Sequence, residues 1–332
     1  MNAPIKLGRK DLMSDQEVRW CPGCGDYAIL KSVQSALAGL GVAKENLVVI
    51  SGIGCAARFP YYMDTYGFHS IHGRAPAFAT GAKMANPDLS VWVVGGDGDM
   101  MSIGGNHLIH ALRRNIDLTI LLFNNRIYGL TKGQFSPTTG LGIKTKSSPM
   151  GSIDPGFNPL SLALGAGATF VARSVDVWGK HLEAIVTAAH QHKGAALIEI
   201  LQNCIIFNKD VHDDAIGRKT KDEHSVDVKH GEPIVFAGGS KGIRLNGFTP
   251  EVVNTADVDP SELLVHDETS PALAGLLASF DLPELPVTTG IVRRVAAPTY
   301  EVSMNNQVEI AQSGGVPSLD DLFAQGDTWT VE

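Results

Sequence analysis

The chain alternates short, largely apolar runs with longer segments whose apolar residues recur at helical spacing. Leu47–Ser51 (LVVIS), Val91–Gly95 (VWVVG), Leu118–Phe123 (LTILLF) and Ala196–Leu201 (ALIEIL) are the continuous runs. Runs this short, bounded by glycine or polar residues, predict buried strands. Before the first run, Ile29, Leu30, Val33, Ala36, Leu37 and Leu40 mark one face of a helix over Asp26–Gly41. Asp26 is its candidate N-cap and Gly41 its stop. Phe78–Ala85 predicts a second helix, ending before Pro87. Ile103–Arg114 and His181–Gln191 predict two more.

Buried strands separated by helices predict an α/β fold, a parallel sheet with helices on both faces. Ligands in such sheets bind beyond the carboxyl ends of the strands. Gly52–Cys55, Gly95–Asp99, Asn124–Asn125 and Cys204 all follow predicted strands. Polar and thiol groups from separate strands therefore converge on one edge, and that convergence predicts a single site. Gly133–Pro159, rich in Gly, Ser, Thr and Pro, reads as a long loop, and loops of that length in compact domains are usually functional. After Asn208 the pattern weakens and prolines recur. The expected division is a cofactor-binding domain over 1–208 and a subunit-contacting C-terminal extension over 209–332, with a short helix near Pro271–Phe280.

Composition narrows the class. A chain of 332 residues, 44% hydrophobic, folds around a substantial core. A net charge of −8 argues against non-specific binding to nucleic acid or anionic membranes. Met1–Asp15 is polar and lacks the apolar core of a signal peptide, and the apolar runs are too short to span a bilayer. A cytoplasmic location is expected. Four cysteines in so long a chain do not read as a disulfide framework; they read as metal-binding, catalytic or buried.

Cys21-Pro-Gly-Cys24 sets two thiols at CxxC spacing just before a helix. The pattern admits a redox dithiol, half a zinc site or part of a cluster site. No strand immediately precedes it, which disfavours a thioredoxin-like dithiol. Zinc sites usually take their ligands as two close pairs, whereas Cys55 and Cys204 are single and far apart in sequence. Taken singly, each of these two also fits a small buried side chain. A set of four thiolates suits zinc or an iron–sulfur cluster, and the cluster is the reading that a redox reaction needs.

Gly96-Asp97-Gly98-Asp99 follows one strand and Asn124-Asn125 another. Alone, the first is an ordinary tight turn. Together they fit a Mg²⁺ that keeps diphosphate oxygens among its ligands. Asp97 supplies a carboxylate, Asn125 an amide oxygen, and a nearby turn carbonyl completes the set. The pair resembles the thiamine-diphosphate motif, in which the second Asn and the carbonyl two residues on, here Asn125 and Ile127, bind the metal.

Read together, CPGCG, IGCAARFPYY, HGRAPAFATG, GDGDMMSIGGNH, NNRIYGLTKGQFSPTT and QNC resemble the β subunits of 2-oxoacid:ferredoxin oxidoreductases, most closely the 2-oxoglutarate type. The resemblance is dense over residues 15–214 and looser beyond. It implies a thiamine-diphosphate-binding fold and one [4Fe–4S] cluster on Cys21, Cys24, Cys55 and Cys204. It implies cofactor contacts from Ile53, Gly54, Cys55, Ala56, His72, Gly73, Arg74, Ala75, Gly98, Asp99, Gly129 and Leu130. The implied reaction is coenzyme A-dependent oxidative decarboxylation of a 2-oxoacid, with electrons leaving through the cluster to ferredoxin, and its reverse, reductive carboxylation. Pyruvate- and indolepyruvate-type enzymes of the family differ in substrate. A cluster-free thiamine decarboxylase or ligase leaves the thiols unexplained, and a zinc-bound scaffold subunit leaves Asp97 and Asn125 unexplained.

No Glu stands in a motif suited to activating the thiamine ring. The family places that residue on a larger α subunit, which is also expected to contact substrate and coenzyme A in an α2β2 assembly. The chain alone is therefore expected to be inactive. Arg58, three residues after Cys55, is the candidate catalytic residue, binding a substrate carboxylate through its guanidinium; the plainer reading is a surface arginine. His72 is read as a donor to the diphosphate, against a capped loop histidine. Lys132 and Gln134 fit substrate or partner contact and a solvated loop equally.

Overall fold

The computed structural model describes residues 6–331, so residues 1–5 of the polar N-terminal stretch and residue 332 lie outside the described residues. The main sheet has eight strands in the order β2-β1-β3-β4-β6-β5-β11-β7. Its strands are β1 (Leu47–Ser51), β2 (Tyr66–His69), β3 (Ser90–Gly96), β4 (Thr119–Asn124), β5 (Phe170–Val175), β6 (Ala196–Leu201), β7 (Ser225–Val228) and β11 (Val287–Arg294). Pairing is parallel throughout except where β11 runs antiparallel to β5. A separate antiparallel sheet joins β8 (Val235–Phe236), β9 (Lys241–Asn246) and β10 (Thr249–Asn254).

The central strands are buried throughout and largely apolar because both faces are covered. Successive side chains point to opposite faces. Val48, Ile50, Val91, Val93, Ile120, Leu122 and Leu197 pack on one side. Leu47, Val49, Trp92, Val94, Leu121, Phe123 and Ile198 pack on the other. Burying each large side chain contributes about 1.5–3 kcal/mol, so the two layers dominate the stability of the fold.

The first layer includes residues of α2 (Ala75–Ala85), α3 (Asp97–Met101), α4 (Gly105–Arg113) and α5 (Pro159–Gly165). The second holds α1 (Asp26–Ala38), α6 (Gly179–Gln191) and the 3₁₀ segment Ala56–Tyr62. Beyond the short helices α7 (Asp213–Ile216) and α8 (Lys221–His224), α9 (Pro271–Ala278) joins the first layer. Ser270 caps α9 by accepting from Leu273 N, with Pro271 in the first turn, where its missing N–H costs nothing. Helices α10 (Tyr300–Ser313) and α11 (Leu319–Phe323) follow.

The four apolar runs are strands, and the helices overlap their predicted spans. Gly133–Pro159 holds no helix or regular strand before α5 begins at Pro159. The sheet continues across the boundary drawn at residue 208, because β7 and β11 of the C-terminal stretch belong to it.

Candidate active site

Three loops bring the thiols together. Cys24 N donates to Cys21 O (3.0 Å), closing the CPGC turn, and Gly25 N donates to Asn203 O (3.2 Å), tying that turn to the loop of Cys204. Trp20 Nε1 donates to Cys55 O at 2.7 Å, tying it to the loop after β1. Trp20 is itself held edge-on by Tyr27 and Tyr62. A Cβ added to Gly129 would sit 3.4 Å from Cys204 Sγ and 3.8 Å from Cys55 Sγ, so a side chain there would crowd the space between these thiols.

Burial raises the thiol pKa of Cys24, and the charges of Asp26, Cys55 and Cys204 raise it further. Burial likewise pushes Cys55 up to about 12, with Asp26, Cys204 and Cys21 adding to it and Arg58 opposing. Thiols that oppose one another's ionisation in this way fit a cationic iron–sulfur core, which binds thiolates and supplies the missing positive charge. Among the described residues, no three His, Cys, Asp or Glu side chains are grouped to hold a single metal ion.

Beside the thiols lies a cavity of about 490 Å³, lined by the ends of β1, β3 and β4. Ile53, Gly54, Cys55, Ala56, His72, Asp97, Gly98, Asp99, Asn125, Ile127, Gly129 and Leu130 all line it, so most of the expected cofactor contacts come together. Cys55 belongs to both the cavity and the thiol set. Tyr128 Oη donates to Gly98 O at 2.8 Å, and a Cβ on Gly98 would fall 2.3 Å from the Tyr128 ring. Only glycine fits there.

The donor set suits a metal with a diphosphate. Asp97 is 1% exposed and sits at the first position of α3, and burial raises its carboxyl pKa against the hydroxyls of Ser136 and Thr138. Asn125 Oδ1 accepts from Ile127 N at 3.2 Å, folding the turn so that both oxygens assigned to the metal come from one short segment.

Asp99 does different work from its neighbour. Its Oδ1 accepts from Ile53 N (3.0 Å) and Gly73 N (2.7 Å), and His72 Nδ1 lies 2.8 Å away. It pins the loop before Cys55 to the loop before α2. Asp99 Oδ2 is buried and has no partner among the described residues.

Three expected contacts fall outside the cavity. Gly73 packs on Gly104, whose N would lie 2.5 Å from an added Cβ. Arg74 is the N-cap residue of α2 and reaches His107 Nε2. Ala75 is fully buried in the first helical turn. The HGRA motif therefore builds the wall behind His72. Arg58 lines a second cavity of about 440 Å³, with Gln16, Arg19, Tyr61 and His69, which shares Ile53, Gly54 and Leu130 with the first. Sequence reasoning passed over Tyr128, Phe123, Thr131 and Phe135, which also line this cavity, and Gln202, which touches Cys24.

Comparison with known proteins bears on the family of the chain. Residues 52–200 match the model of the thiamine pyrophosphate enzyme C-terminal TPP binding domain. The chain is 49% identical over 200 residues to the β subunit of 2-oxoacid:ferredoxin oxidoreductase 1 of Aeropyrum pernix, covering 60% of this chain and 62% of that one. It is 57% identical over 330 residues to 2-oxoglutarate oxidoreductase subunit KorB of Mycobacterium tuberculosis, covering 97% of this chain and 88% of the relative. The chain belongs to the 2-oxoacid:ferredoxin oxidoreductase β-subunit family. A solved family structure, 2-oxoglutarate:ferredoxin oxidoreductase from Magnetococcus marinus with 2-oxoglutarate, coenzyme A and succinyl-CoA bound, superposes with a TM-score of 0.79 at 32% identity, covering 97% of each chain. The β-subunit assignment implies an α partner. Among the described residues no helix is long and apolar enough to cross a membrane.

Proposed function

We propose that this chain is the cofactor-binding β subunit of a 2-oxoglutarate:ferredoxin oxidoreductase, active in the cytoplasm. The observation that carries the reading is the shared residue Cys55, which lines the cofactor cavity and stands in the thiol set. A cluster held there would border this cavity. Thiamine diphosphate supplies an electron sink for decarboxylation, and a [4Fe–4S] cluster accepts electrons one at a time. Asp97, Asn125 and the Ile127 carbonyl would hold Mg²⁺ and through it the diphosphate. Cys21, Cys24, Cys55 and Cys204 would hold the cluster. His72 would donate to the diphosphate, and Arg58 would pair with a substrate carboxylate in the adjoining cavity.

In this reading, 2-oxoglutarate and coenzyme A give succinyl-CoA and CO₂, ferredoxin takes the electrons, and the reverse carboxylation uses the same groups. The α subunit contributes the activating Glu and contacts to substrate and coenzyme A. The name of the mycobacterial relative and the bound molecules of the Magnetococcus structure support 2-oxoglutarate over pyruvate and indolepyruvate.

The test is anaerobic purification with the α subunit, followed by ferredoxin reduction with coenzyme A and each 2-oxoacid in turn. Brown protein with broad iron–sulfur absorption and fastest turnover on 2-oxoglutarate is expected. A colourless protein carrying stoichiometric zinc would overturn the cluster. Preference for pyruvate would overturn the substrate.

A further inference from the structure

The segment Ser136-Pro137-Thr138-Thr139 lies in the long loop after β4, and its three hydroxyl residues are only 3%, 4% and 1% exposed. Short polar side chains buried so deeply must have partners. Their partners lie on both halves of the metal motif. Ser136 Oγ and Thr138 Oγ1 both donate to Asp97 Oδ2, the latter at 2.6 Å. Thr139 Oγ1 donates to Arg126 O at 2.7 Å and accepts from Ser136 N at 2.7 Å.

We propose that Ser136, Thr138 and Thr139 form a clamp that sets Asp97 and the Asn125–Ile127 turn at the spacing a Mg²⁺–diphosphate requires. The proposal rests on the assignment of Asp97, Asn125 and Ile127 as metal ligands. Those ligands follow different strands, β3 and β4, and Mg²⁺ tolerates little departure from octahedral geometry. Something must fix one against the other, and the hydroxyl loop touches both.

Two details support a positioning role. Both hydroxyls converge on one carboxylate oxygen, which leaves Asp97 Oδ1 as the oxygen free of side-chain donors. On the other side, Arg126 holds a φ of +56°, a left-handed conformation unfavourable for a residue with a Cβ. It persists because Arg126 N donates to Asn124 Oδ1 at 3.2 Å while Thr139 holds its carbonyl. Thr138 Oγ1 also lies 2.9 Å from Asn124 Oδ1. With one hydrogen, it favours the carboxylate, the stronger acceptor.

The experiment uses the assembled α and β subunits with saturating thiamine diphosphate, and Mn²⁺ as the probe, followed by the loss of its free-ion EPR signal. Thr138→Val and Thr139→Val are expected to weaken Mn²⁺ binding by about ten- to one-hundredfold, as loss of partners that orient metal ligands does. Thr138→Ser keeps the hydroxyl and should restore binding. Turnover of the valine variants should recover at high Mg²⁺, so the apparent KM for Mg²⁺ rises while kcat changes little. Ser136→Ala removes one donor at little volume change and carries the test if Thr138→Val does not assemble. If these variants bind Mn²⁺ like the parent while Asp97→Asn does not bind, the clamp is overturned and the metal assignment stands. If Asp97→Asn also binds like the parent, the metal assignment itself falls.

Discussion

Gln202 donates its Nε2–H to Cys24 Sγ across 3.3 Å. The same nitrogen donates to Asn203 O (2.9 Å), and Oε1 accepts from Asn125 Nδ2 (2.7 Å). One amide at the end of β6 thus touches a proposed cluster ligand and a proposed metal ligand. Hydrogen bonds to cluster sulfurs stabilise the more negative, reduced state and raise the potential. Gln202→Leu is therefore expected to lower the cluster potential. A differential interaction of about 1 kcal/mol corresponds to tens of millivolts for a one-electron couple. Potentiometric EPR titration of the assembled protein reads it directly, and an unchanged potential would sink the idea.

Arg58 tests the proposed substrate cavity. Its cavity also contains Tyr61, His69 and Arg19, and it meets the cofactor cavity at Ile53, Gly54 and Leu130. A hydrogen-bonded charge pair contributes about 1.5–3 kcal/mol, which corresponds to a KM for the 2-oxoacid raised by roughly ten- to one-hundredfold. Arg58→Ala should show that rise, with a smaller change for a substrate lacking the second carboxylate. Steady-state kinetics on 2-oxoglutarate and pyruvate separates the two. Equal effects on both would place Arg58 away from the distal carboxylate.

Much of this site could be read from the chain because its groups follow strands that announce themselves. The runs of β1, β3, β4 and β6 are largely apolar, so their ends, and the residues just beyond, are marked. β5 is hidden because Arg173 and Ser174 stand side by side and break its apolar run, whereas β6 carries the single Glu199 that pairs with Arg173 at 2.7 Å on the neighbouring strand. β2 was hidden because every residue of its YGFH is exposed, and β11 because VTTGIVRR mixes threonine, glycine and arginine into its run. The clamp hydroxyls reach Arg126 and Asp97 over 13 to 41 residues of sequence, and Gln202 reaches Cys24 over 178, separations that no local pattern signals. Gly73, Arg74 and Ala75 adjoin His72 in sequence but do not line the cavity, because α2 begins there; Gly73 N instead meets Asp99 Oδ1 at 2.7 Å.

His212 gives a pH dependence. It is 7% exposed and donates from Nε2 to Asn124 O at 2.9 Å. Burial, and then the charge of Arg126, lower its pKa from 6.5 to about 4. The folded value lies below the unfolded one, so on acidification the unfolded chain takes up the proton first. Stability is lost as pH falls through the window from 6.5 to about 4. The expected loss between about pH 7 and pH 5 is about 2 kcal/mol from this group. Asp26, raised to about 7 by burial, works in the opposite direction over that range. The comparison of His212→Gln with the parent therefore isolates the histidine. Urea denaturation at the two pH values should show a smaller acid loss in the variant, and equal losses would assign the slope elsewhere.

Cys55 separates a structural cluster from a catalytic one. Its sulfur stands near both Gly129 and Cys204, and its residue lines the cofactor cavity. A cluster that only staples the three loops would, when weakened, loosen the cavity too, because Cys55 and its neighbours Gly54 and Ala56 form its wall. A cluster that serves as the first electron acceptor would lose electron transfer while the cavity still binds. Serine is a harder ligand of nearly the same shape, so Cys55→Ser perturbs the iron site with little change in volume. The expected result is a fall in ferredoxin reduction of about two orders of magnitude, with thiamine diphosphate affinity changed a fewfold at most. Fluorescence titration with thiamine diphosphate, beside stopped-flow reduction of ferredoxin, measures both. Parallel loss of the two would mean that the thiols chiefly hold the loops together.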